Sequence, residues 1–428
     1  MNLRIKPAAT LQGSIKLPAS KSYSIRAFII ASLGGNSKIV NPSDCEDANV
    51  ARLTCQKLGA RITRLSKNSW SIKGFSRGHK FPRQINVGES GTTLRFLISI
   101  LALSKTPITI NGTGTLRPRP NNYLIRVLRK RGADIKGKGK KETVPIKIRP
   151  AGLRGGATEI NGTLSSQFIS SLLIALPSLK EDSQVKISGS FVVSRPYIDM
   201  TLAILKKTGI EIAPWHYRQY FIKGNQRFRG LKKFTVPDDY GLAAFFMVAA
   251  CLLKSRVVLK RNGADNLVQA DRQILFFLKK MGARIKITPQ AITINGPVRL
   301  KGGSFNLRDC PDLVPIMTIA ALFAKGRTKL YGISHVRQKE SDRISDLRRE
   351  LLKARAGITE SRDSLVIYPK ALKAGIRLNP HNDHRLAMAF CILGLKIGTR
   401  VEDVGCIAKS YPAFLSDLHQ LKVDFVRS

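Results

Sequence analysis

The order of apolar and polar residues along the chain predicts alternating strands and helices. The opening stretch MNLRIKPAATLQGSIKL alternates in the manner of a β-strand. From Ala27 onward the pattern becomes helical, because Ile29, Ile30 and Leu33 recur at helical spacing. Ser20 precedes this helix and is suited to cap it, since its hydroxyl can accept a free backbone N–H.

One pattern recurs along the chain: a helix with a basic end, a glycine, a short strand, a turn and a second strand. These glycines lie roughly 75 residues apart, and a constant period indicates a repeated supersecondary unit. Each glycine is expected just past its helix, where a positive φ is needed. The C-terminal LKVDFV resembles a shortened sixth copy. The five glycines are Gly59, Gly132, Gly209, Gly282 and Gly357.

Six such units can stack as one elongated repeat protein or form two domains of three units each. The segment FRGLKKFTVPDDY, between Phe228 and Tyr240, indicates that the chain crosses from one domain to the other. We therefore predict one domain at 18–231 and a second formed by 1–17 and 232–428, to which the N-terminal strand returns. A substrate site is expected in the cleft between two such domains.

The charge of the chain restricts the classes of partner. Lys and Arg number 73 against 28 Asp and Glu, which gives a formal net charge of +45 over 428 residues. Such a balance favours a nucleic acid or a small anionic substrate. Aromatic residues make up only 7% and are not interleaved with the basic ones as a single-strand binding surface requires. A small anionic substrate is therefore the first hypothesis and a nucleic acid the second.

The cysteines and the apolar runs predict a cytoplasmic protein. The six cysteines form no Cys-x-x-Cys pair, so we expect free thiols in a reducing compartment and no metal site. No apolar run reaches the length of a membrane span, and the N-terminus lacks the apolar core of a signal peptide.

Four predicted helix starts in the first domain carry hydroxyls or cations. A helix start gathers free N–H groups and the positive end of the helix dipole, which favours an anion. Each start alone can also be an ordinary cap or a basic turn. The stretches are LPASKSYSIRA at 17–27, NVGESGTTLRFL at 86–97, NGTLSSQFISSL at 161–172 and VVSRPYIDM at 192–200. A fifth stretch, TLRPRPNN, holds Arg117 and Arg119 between prolines and presents guanidinium groups suited to carboxylate or phosphate.

The second domain carries the candidate acid–base residues. Asp312 precedes an apolar helix and is either its cap or a general base. Lys339 and Arg343 are four residues apart, which predicts one shared helix face beside Glu340. Two further basic groups stand at PHNDHRLAM, which contains Arg385, and at AKSYP, which contains Lys409.

Together these stretches resemble the EPSP synthase family of enolpyruvyl transferases over the whole chain. The matching motifs are LPASKSYSIRA, GESGTTLR, RP at 119–120, SSQF, SRPYID, PDLVP, KESDR, NDHRLAM and AKSYP. The resemblance implies an α/β fold of two domains, each built of three βαβαββ units. It implies transfer of the enolpyruvyl group of phosphoenolpyruvate to the 5-hydroxyl of shikimate 3-phosphate, without metal or cofactor, by a cytoplasmic monomer. The related transferases that act on UDP-N-acetylglucosamine usually have Lys-Asn where this chain has Lys21-Ser22.

The resemblance also implies a role for individual residues. Asp312 would be the general base, and Lys21 and Glu340 would handle the proton at the methylene carbon. The residues implied for phosphoenolpyruvate are Lys21, Gly91, Arg119, Gln167, Arg343, Arg385 and Lys409. The residues implied for shikimate 3-phosphate are Lys21, Ser22, Arg26, Ser165, Ser166, Gln167, Ser194, Asp312, His335 and Lys339.

Three positions depart from the pattern usual in this family. Glu89 replaces a common Asn, His335 replaces an Asn that contacts the shikimate phosphate, and Gly241 replaces a common Ser. A carboxylate near a bound anion would repel it, so Glu89 is expected to point away or to pair with a cation. Because Gly91 is present, the resemblance implies inhibition by glyphosate.

Overall fold

The computed structural model describes residues 1–75, 79–264 and 267–427. The chain divides into two compact units. The terminal unit consists of Met1–Pro18, Asp238–Asp265 and Gln269–Ser428, and the central unit of Ala19–Pro237 and Asn266–Val268. The predicted crossing at 231/232 is thus too early. Strand Lys232–Thr235 pairs with Asn36–Val40 and thereby completes a sheet of the central unit.

The described helices alternate with strands along most of the chain. The helices are α1 Lys21–Ser32, α2 Glu46–Lys57, α3 Gly91–Leu101, α4 Asn122–Lys130, α5 Ser166–Ala175, α6 Arg195–Lys207, α7 Tyr240–Leu252, α8 Gln273–Lys280, α9 Val314–Leu322, α10 Ser345–Leu352, α11 His384–Ile397 and α12 Phe414–Gln420. Short 3-10 turns lie at Gly114–Leu116, Leu176–Ser178, Ala270–Arg272, Pro311–Leu313, Ser334–Gln338 and Val404–Lys409.

The strands are short. They are β1 Leu3–Ile5, β2 Thr10–Lys16, β3 Asn36–Val40, β4 Arg61–Ser66, β5 Ser69–Lys73, β6 Gln84–Asn86, β7 Ile108–Asn111, β8 Asp134–Lys138, β9 Thr143–Arg149, β10 Gly156–Asn161, β11 Ser183–Ser188, β12 Ile212–Trp215, β13 Gln219–Ile222, β14 Lys232–Thr235, β15 Lys254–Lys260, β16 Ile285–Ile287, β17 Ala291–Gly296, β18 Ser304–Asn306, β19 Thr328–Tyr331, β20 Gly357–Glu360, β21 Ser364–Tyr368, β22 Ile376–Leu378, β23 Thr399–Val401 and β24 Phe425–Arg427.

Within the described residues these strands form six four-stranded sheets of one topology, which confirms the predicted repeat. In each sheet a parallel pair is followed by two antiparallel strands. The central unit holds the orders β14-β3-β5-β4, β6-β7-β9-β8 and β10-β11-β13-β12. The terminal unit holds β2-β15-β17-β16, β18-β19-β21-β20 and β22-β23-β1-β24. The N-terminal strands β1 and β2 complete two sheets of the terminal unit, so the predicted return of the chain's start is also confirmed.

The glycines predicted to follow the basic helix ends have positive φ in four of the five copies. These are Gly59, Gly132, Gly209 and Gly282. The prediction is wrong for Gly357, which begins β20 and is not among the residues of positive φ. In that copy Arg355 adopts the left-handed conformation, with a φ of 59°. The chain therefore turns two residues earlier than the glycine indicates.

In each unit three apolar helices form the centre of the fold. In the central unit these are α1, α3 and α5, and in the terminal unit α7, α9 and α11. Almost every residue of α7 and α9 is buried, which matches their uniformly apolar sequences. None of the described helices has the length and apolar character required to cross a membrane. All six cysteines are buried and unbridged.

Candidate active site

The helices of the central unit bring their N-termini to one end. Arg26 donates to Thr201 of α6 at 2.9 Å and lies over the ring of Phe96 of α3. Thr201 in turn contacts Ser170 of α5 at 3.0 Å. Each of these residues lies four to six positions from its own helix start. The N-terminal halves of the four helices therefore contact one another, and the free N–H groups and dipoles of helix starts favour an anion.

Lys21 is the first residue of α1 and lies beside a carboxylate. Ser20 caps this helix as predicted, because its hydroxyl accepts a hydrogen bond from the backbone N–H of Tyr23. The Lys21 ammonium contacts Asp47 at 3.0 Å, and both side chains are partly exposed. Asp47 was not among the predicted site residues. Its position in the first turn of α2 is the feature of the sequence that could have indicated it.

Gly91 is the first residue of α3, and its lack of a side chain admits Arg119. A Cβ built at position 91 would lie 2.7 Å from Nη1 of Arg119, which is closer than real Cβ atoms approach. Arg119 itself is 5% exposed. A guanidinium group thus lies beside the start of a helix, and the binding of one anion by Gly91 and Arg119 stays a prediction.

Gln167 lies between α5 and α3 in a short chain of hydrogen bonds. Its side-chain carbonyl accepts from Nη1 of Arg95 at 2.6 Å, and its amide donates to Thr92 at 2.9 Å. Ser165 caps α5 by accepting from the backbone N–H of Gln167, and Ser166 begins the helix. Arg95 was not among the predicted site residues, because it follows GESGTT inside an apolar run.

Arg26 and Ser194 are both buried. Arg26 is 1% exposed and donates to Thr201, to the carbonyl of Ser22 and to the carbonyl of Tyr197. Burial lowers the pKa of Arg26 to about 10. These contacts join α1 to α6, and binding of substrate by Arg26 stays a prediction. Ser194 precedes α6 with a left-handed φ of 54° and is largely buried.

In the terminal unit, Arg343 holds three carboxylates together. Its guanidinium contacts Asp312 at 2.9 Å, Glu340 at 2.8 Å and Asp383 at 2.8 Å. Burial alone would lower the pKa of Arg343, but the three carboxylates raise it well above its ordinary range. Asp383 is fully buried, whereas the side chains of Asp312 and Glu340 keep 17% and 16% of their surface exposed. Two carboxylates are therefore fixed by one cation and still open to a ligand.

Arg385 brings together the N-termini of the apolar helices of this unit. It lies in the first turn of α11, contacts Asp312 at 2.8 Å and donates to the backbone carbonyls of Asp312 and Gly241. A Cβ at position 241 would lie 2.4 Å from Oδ2 of Asp271 and 3.2 Å from Nη1 of Arg385. The glycine that departs from the family pattern thus leaves space for these two side chains.

The structure bears on one of the two predicted roles of Asp312, that of a helix cap. It lies within the 3-10 turn Pro311–Leu313 ahead of α9, and its carboxylate contacts Arg343 and Arg385. Residue Leu313 occupies the position before α9 and provides no side-chain cap. Asp312 is therefore not the cap of α9, and its role as a general base stays a prediction.

The prediction of one helix face shared by Lys339 and Arg343 is wrong. Lys339 directly follows the turn Ser334–Gln338, and α10 begins only at Ser345. Asp342 causes this late start, because its carboxylate accepts the backbone N–H groups of Ile344 and Ser345. The intervening loop nevertheless brings Lys339 to 3.9 Å from Asp312.

His335 lies beside this group with an uncharged ring. Burial, aided by the nearby Lys339, lowers the pKa of His335 to about 3, although Asp312 acts in the opposite direction. Both ring nitrogens are buried and have no hydrogen-bond partner among the described residues. The ring is therefore neutral at pH 7 and can still donate one hydrogen bond.

Lys409 and Glu89 complete the set of predicted positions. Nζ of Lys409 donates to the backbone carbonyl of Asn382 at 3.0 Å and to its side chain at 3.1 Å. The Glu89 carboxylate accepts from the backbone N–H and the hydroxyl of Thr115 at 2.9 and 2.6 Å.

Asp383, which binds Arg343, belongs to the motif NDHRLAM but was not among the predicted site residues. No group of His, Cys, Asp and Glu able to hold a metal is found among the described residues.

These features define an α/β protein of six repeats in two units, with cations and hydroxyls at the helix ends of one unit and paired carboxylates in the other. Solved structures share this fold over the full chain. An EPSP synthase from Acinetobacter baumannii covers 100% of both chains with a TM-score of 0.81 and 26% identity. The enolpyruvyl transferase NikO from Streptomyces tendae gives a TM-score of 0.79 at 14% identity, and covers 100% of this chain and 98% of its own.

Sequence comparison identifies the family. The profile of EPSP synthase (3-phosphoshikimate 1-carboxyvinyltransferase) matches residues 5–418. A 3-phosphoshikimate 1-carboxyvinyltransferase from Methanocaldococcus jannaschii is 37% identical over 425 residues and covers 98% of both chains. One from Hamiltonella defensa is 33% identical with the same coverage. The chain belongs to the EPSP synthase family.

Proposed function

We propose that this protein transfers the enolpyruvyl group of phosphoenolpyruvate to the 5-hydroxyl of shikimate 3-phosphate and releases phosphate. The reaction fits a cytoplasmic, monomeric enzyme without a cofactor. Relatives that bear the name of this activity support the reaction. The observation that carries the proposal is Arg343, whose guanidinium fixes Asp312 and Glu340 while leaving both carboxylates partly exposed.

The roles of the carboxylates follow from what the two steps require. In the addition step Asp312 takes the proton of the 5-hydroxyl as its oxygen attacks C2 of phosphoenolpyruvate, and the methylene carbon gains a proton. In the elimination step that carbon loses a proton and the phosphate leaves. Glu340 and Lys21 deliver the proton that the methylene carbon gains in the addition step and accept the proton that it loses in the elimination step. Arg343 and Arg385 contact the Asp312 carboxylate at 2.9 and 2.8 Å and thereby orient it as a general base requires.

The cations are proposed to bind the charges of both substrates. Arg119, Arg343, Arg385 and Lys409 would bind phosphoenolpyruvate together with Lys21, Gly91 and Gln167. Arginine is suited to carboxylate and phosphate because its donors match two oxygens at once. The groups proposed for shikimate 3-phosphate include Ser22, Arg26, Ser165, Ser166, Gln167, Ser194, His335 and Lys339, with Lys21 and Asp312 at its hydroxyl. Pre-oriented charges of this kind stabilise the charge that develops in the transition state.

Phosphate release from the purified protein tests the reaction. Phosphoenolpyruvate is supplied with shikimate 3-phosphate or with UDP-N-acetylglucosamine, and free phosphate is measured over time. Release with the first acceptor alone supports the proposal. Release with the second alone would assign the chain to another transferase reaction, and release with neither would contradict both. A Lys21→Met variant serves as the control for contaminating phosphatase.

A further inference from the structure

The short segment between β22 and α11 has an unusual backbone. Residues His381 and Asn382 are consecutive and both left-handed, with φ of 50° and 58°. Asn and His tolerate this conformation better than most residues. It is still strained for residues other than glycine and persists only where the surroundings impose it. Something next to the segment Asn379–Asp383 must therefore hold it in place.

Glu350 of α10 holds this segment from one side. Its Oε2 accepts the backbone N–H of Asn379 at 2.8 Å, and its Oε1 lies 3.1 Å from Nε2 of His381. The side chain is 2% exposed, so this is a buried carboxylate with directed contacts. Lys353 approaches Oε2 at 2.6 Å and is itself 47% exposed.

Glu350 is ionised in this setting. Burial alone would raise the pKa of Glu350, but the hydrogen bonds from Lys353, from the backbone of Asn379 and from His381 lower it below its ordinary value. A charged acceptor forms the stronger class of hydrogen bond. The segment is therefore tied to α10 by charge-assisted contacts and not by packing alone.

The opposite side of the segment faces two cations of the candidate site. The carbonyl and the side chain of Asn382 both accept from Lys409, at 3.0 and 3.1 Å. The carboxylate of Asp383 binds Arg343 at 2.8 Å and also accepts the backbone N–H of Arg385. Five residues thus link Glu350 to the basic groups that the proposed function gives to phosphoenolpyruvate.

We propose that Glu350 is a positioning residue for phosphoenolpyruvate binding, because it holds the Asn379–Asp383 segment that orients Lys409 and Arg343. This inference rests on the proposed function for the identity of the ligand. Glu350 contacts the segment and not the substrate. Its loss should therefore weaken phosphoenolpyruvate binding more than shikimate 3-phosphate binding.

Steady-state kinetics of Glu350→Gln provide the test. The amide keeps the size of the side chain and loses its charge. We expect KM for phosphoenolpyruvate to rise about tenfold, as loss of a charged hydrogen bond predicts, while KM for shikimate 3-phosphate changes less than about twofold. His381→Asn is the second variant. Asn accepts the left-handed backbone but is too short to reach Glu350, and KM for phosphoenolpyruvate should rise about threefold.

Two further variants separate positioning from stability. Arg348→Met removes an exposed cation of the same helix that does not contact Glu350 or the segment, so both KM values should stay within about twofold of the parent enzyme. Lys409→Met should raise KM for phosphoenolpyruvate by itself. Adding Glu350→Gln to Lys409→Met should then cost less than it does alone, because the two residues act through one contact.

The outcomes distinguish the inference from the proposed function. If Lys409→Met raises KM for phosphoenolpyruvate while Glu350→Gln and His381→Asn lower only the melting temperature, the inference is overturned and the proposed function stands. If Lys409→Met has no effect although phosphate release is intact, the ligand assignment fails and the inference with it. Where Glu350→Gln does not fold, His381→Asn and the double variant with Lys409→Met decide.

Discussion

In the central unit the apolar helices α1, α3 and α5 are preceded by Ser20, Ser90 and Ser165, whereas in the terminal unit α7 and α11 are preceded by Asp239 and Asp383. The sheets beneath them have the same topology. The residues that precede these helices therefore carry hydroxyls in the central unit and carboxylates in the terminal unit, although the repeated fold is the same.

The difference matters for electrostatics. A serine can satisfy a free N–H without adding charge, so the positive potential of the helix start remains available to an anion. An aspartate caps equally well but cancels that potential and, when buried, needs a cation. In the terminal unit Arg343 supplies this cation to Asp383 and holds Asp312 and Glu340 as well. The helix starts of the central unit thus keep their positive potential, whereas in the terminal unit the positive charge that is proposed to bind phosphoenolpyruvate comes from the side chains of Arg343, Arg385 and Lys409.

The largest effect is expected from Asp312→Asn and from Glu340→Gln in the terminal unit. Each change keeps the shape of the side chain and removes its capacity to take a proton, so kcat should fall by about 10²–10⁴. The measurement is phosphate release at saturating substrates. Asp309→Asn alters a nearby carboxylate to which we assign no role and should retain activity. Near-parental turnover of both Asp312→Asn and Glu340→Gln would contradict the mechanism even though the family is established.

Lys21→Met tests the cationic end of the central unit. We expect a loss of about 10²–10³ in kcat, because one pre-oriented charged donor is removed. The fold should survive, since Lys21 is partly exposed and contacts Asp47 near the surface. Lys57→Met on α2 removes an exposed lysine of the same unit and is the matched control. Circular dichroism checks that both variants are folded.

The sequence was sufficient to predict the repeat because its signals are local. A basic helix end followed by glycine and a hairpin is encoded within one short stretch, and four of the five glycines have the expected positive φ. The chain leaves the central unit at Pro237, and the crossing was predicted too early because β14 pairs with β3, nearly 200 residues earlier in the chain. A partner so distant in sequence cannot be recognised from the residues of β14 alone. The position of the turn in the fifth copy was missed since Arg355, a residue without turn preference, is left-handed there.

The candidate site was predictable where its residues stand in motifs and not where the contact is long-range. Lys339 and Arg343 both reach Asp312, but through a loop and not by the helix that their spacing predicts. Asp47 and Arg95 were missed because each gains its partner only in the folded chain. Glu350 carries no signal in the sequence beyond that of an ordinary charged helix residue.

Ser165→Asp converts one cap of the central unit to the type used in the terminal unit. Aspartate can still accept from the backbone N–H of Gln167, so the helix should remain stable. The added charge should repel the substrate phosphate and raise KM for shikimate 3-phosphate about tenfold, given ~1 kcal/mol or more for like charges at this range. Ser165→Ala lowers stability by about 1 kcal/mol without adding charge and is the control. Equal KM values for the two variants would contradict this explanation.

Gly91→Ala sharpens the account of Arg119. The new Cβ would lie 2.7 Å from Nη1, so the guanidinium must shift. Because that group is the end of a flexible side chain, the shift requires little free energy. We therefore expect KM for phosphoenolpyruvate to rise only about threefold. Arg119→Lys removes the paired donors and should exceed this effect. A Gly91→Ala enzyme with parental KM would show that Arg119 does not need its present position.

The smallest effect concerns the exposed faces of the sheets, where the two units also differ. In the terminal unit Arg377, Arg400 and Arg4 lie directly opposite one another on three neighbouring strands. In the central unit Glu159 lies opposite Lys186 on β10 and β11. Like charges in direct register destabilise a sheet and opposite charges stabilise it, each by roughly 0.2–1 kcal/mol.

Arg400→Thr should therefore raise the melting temperature at low salt, and Lys186→Thr should lower it. The distance over which exposed charges interact falls from about 30 Å at 0.01 M salt to about 3 Å at 1 M, so both shifts should shrink across that range. The measurement is thermal unfolding across a salt series, with the parent enzyme in parallel. If Arg400→Thr destabilises the protein at every salt concentration, the contact of Arg377 with Glu402 already relieves the repulsion among these three arginines, and Arg400 contributes by packing instead. If it stabilises as expected, like-charge repulsion in a chain of net charge +45 lowers the stability of this sheet, and added salt weakens that repulsion.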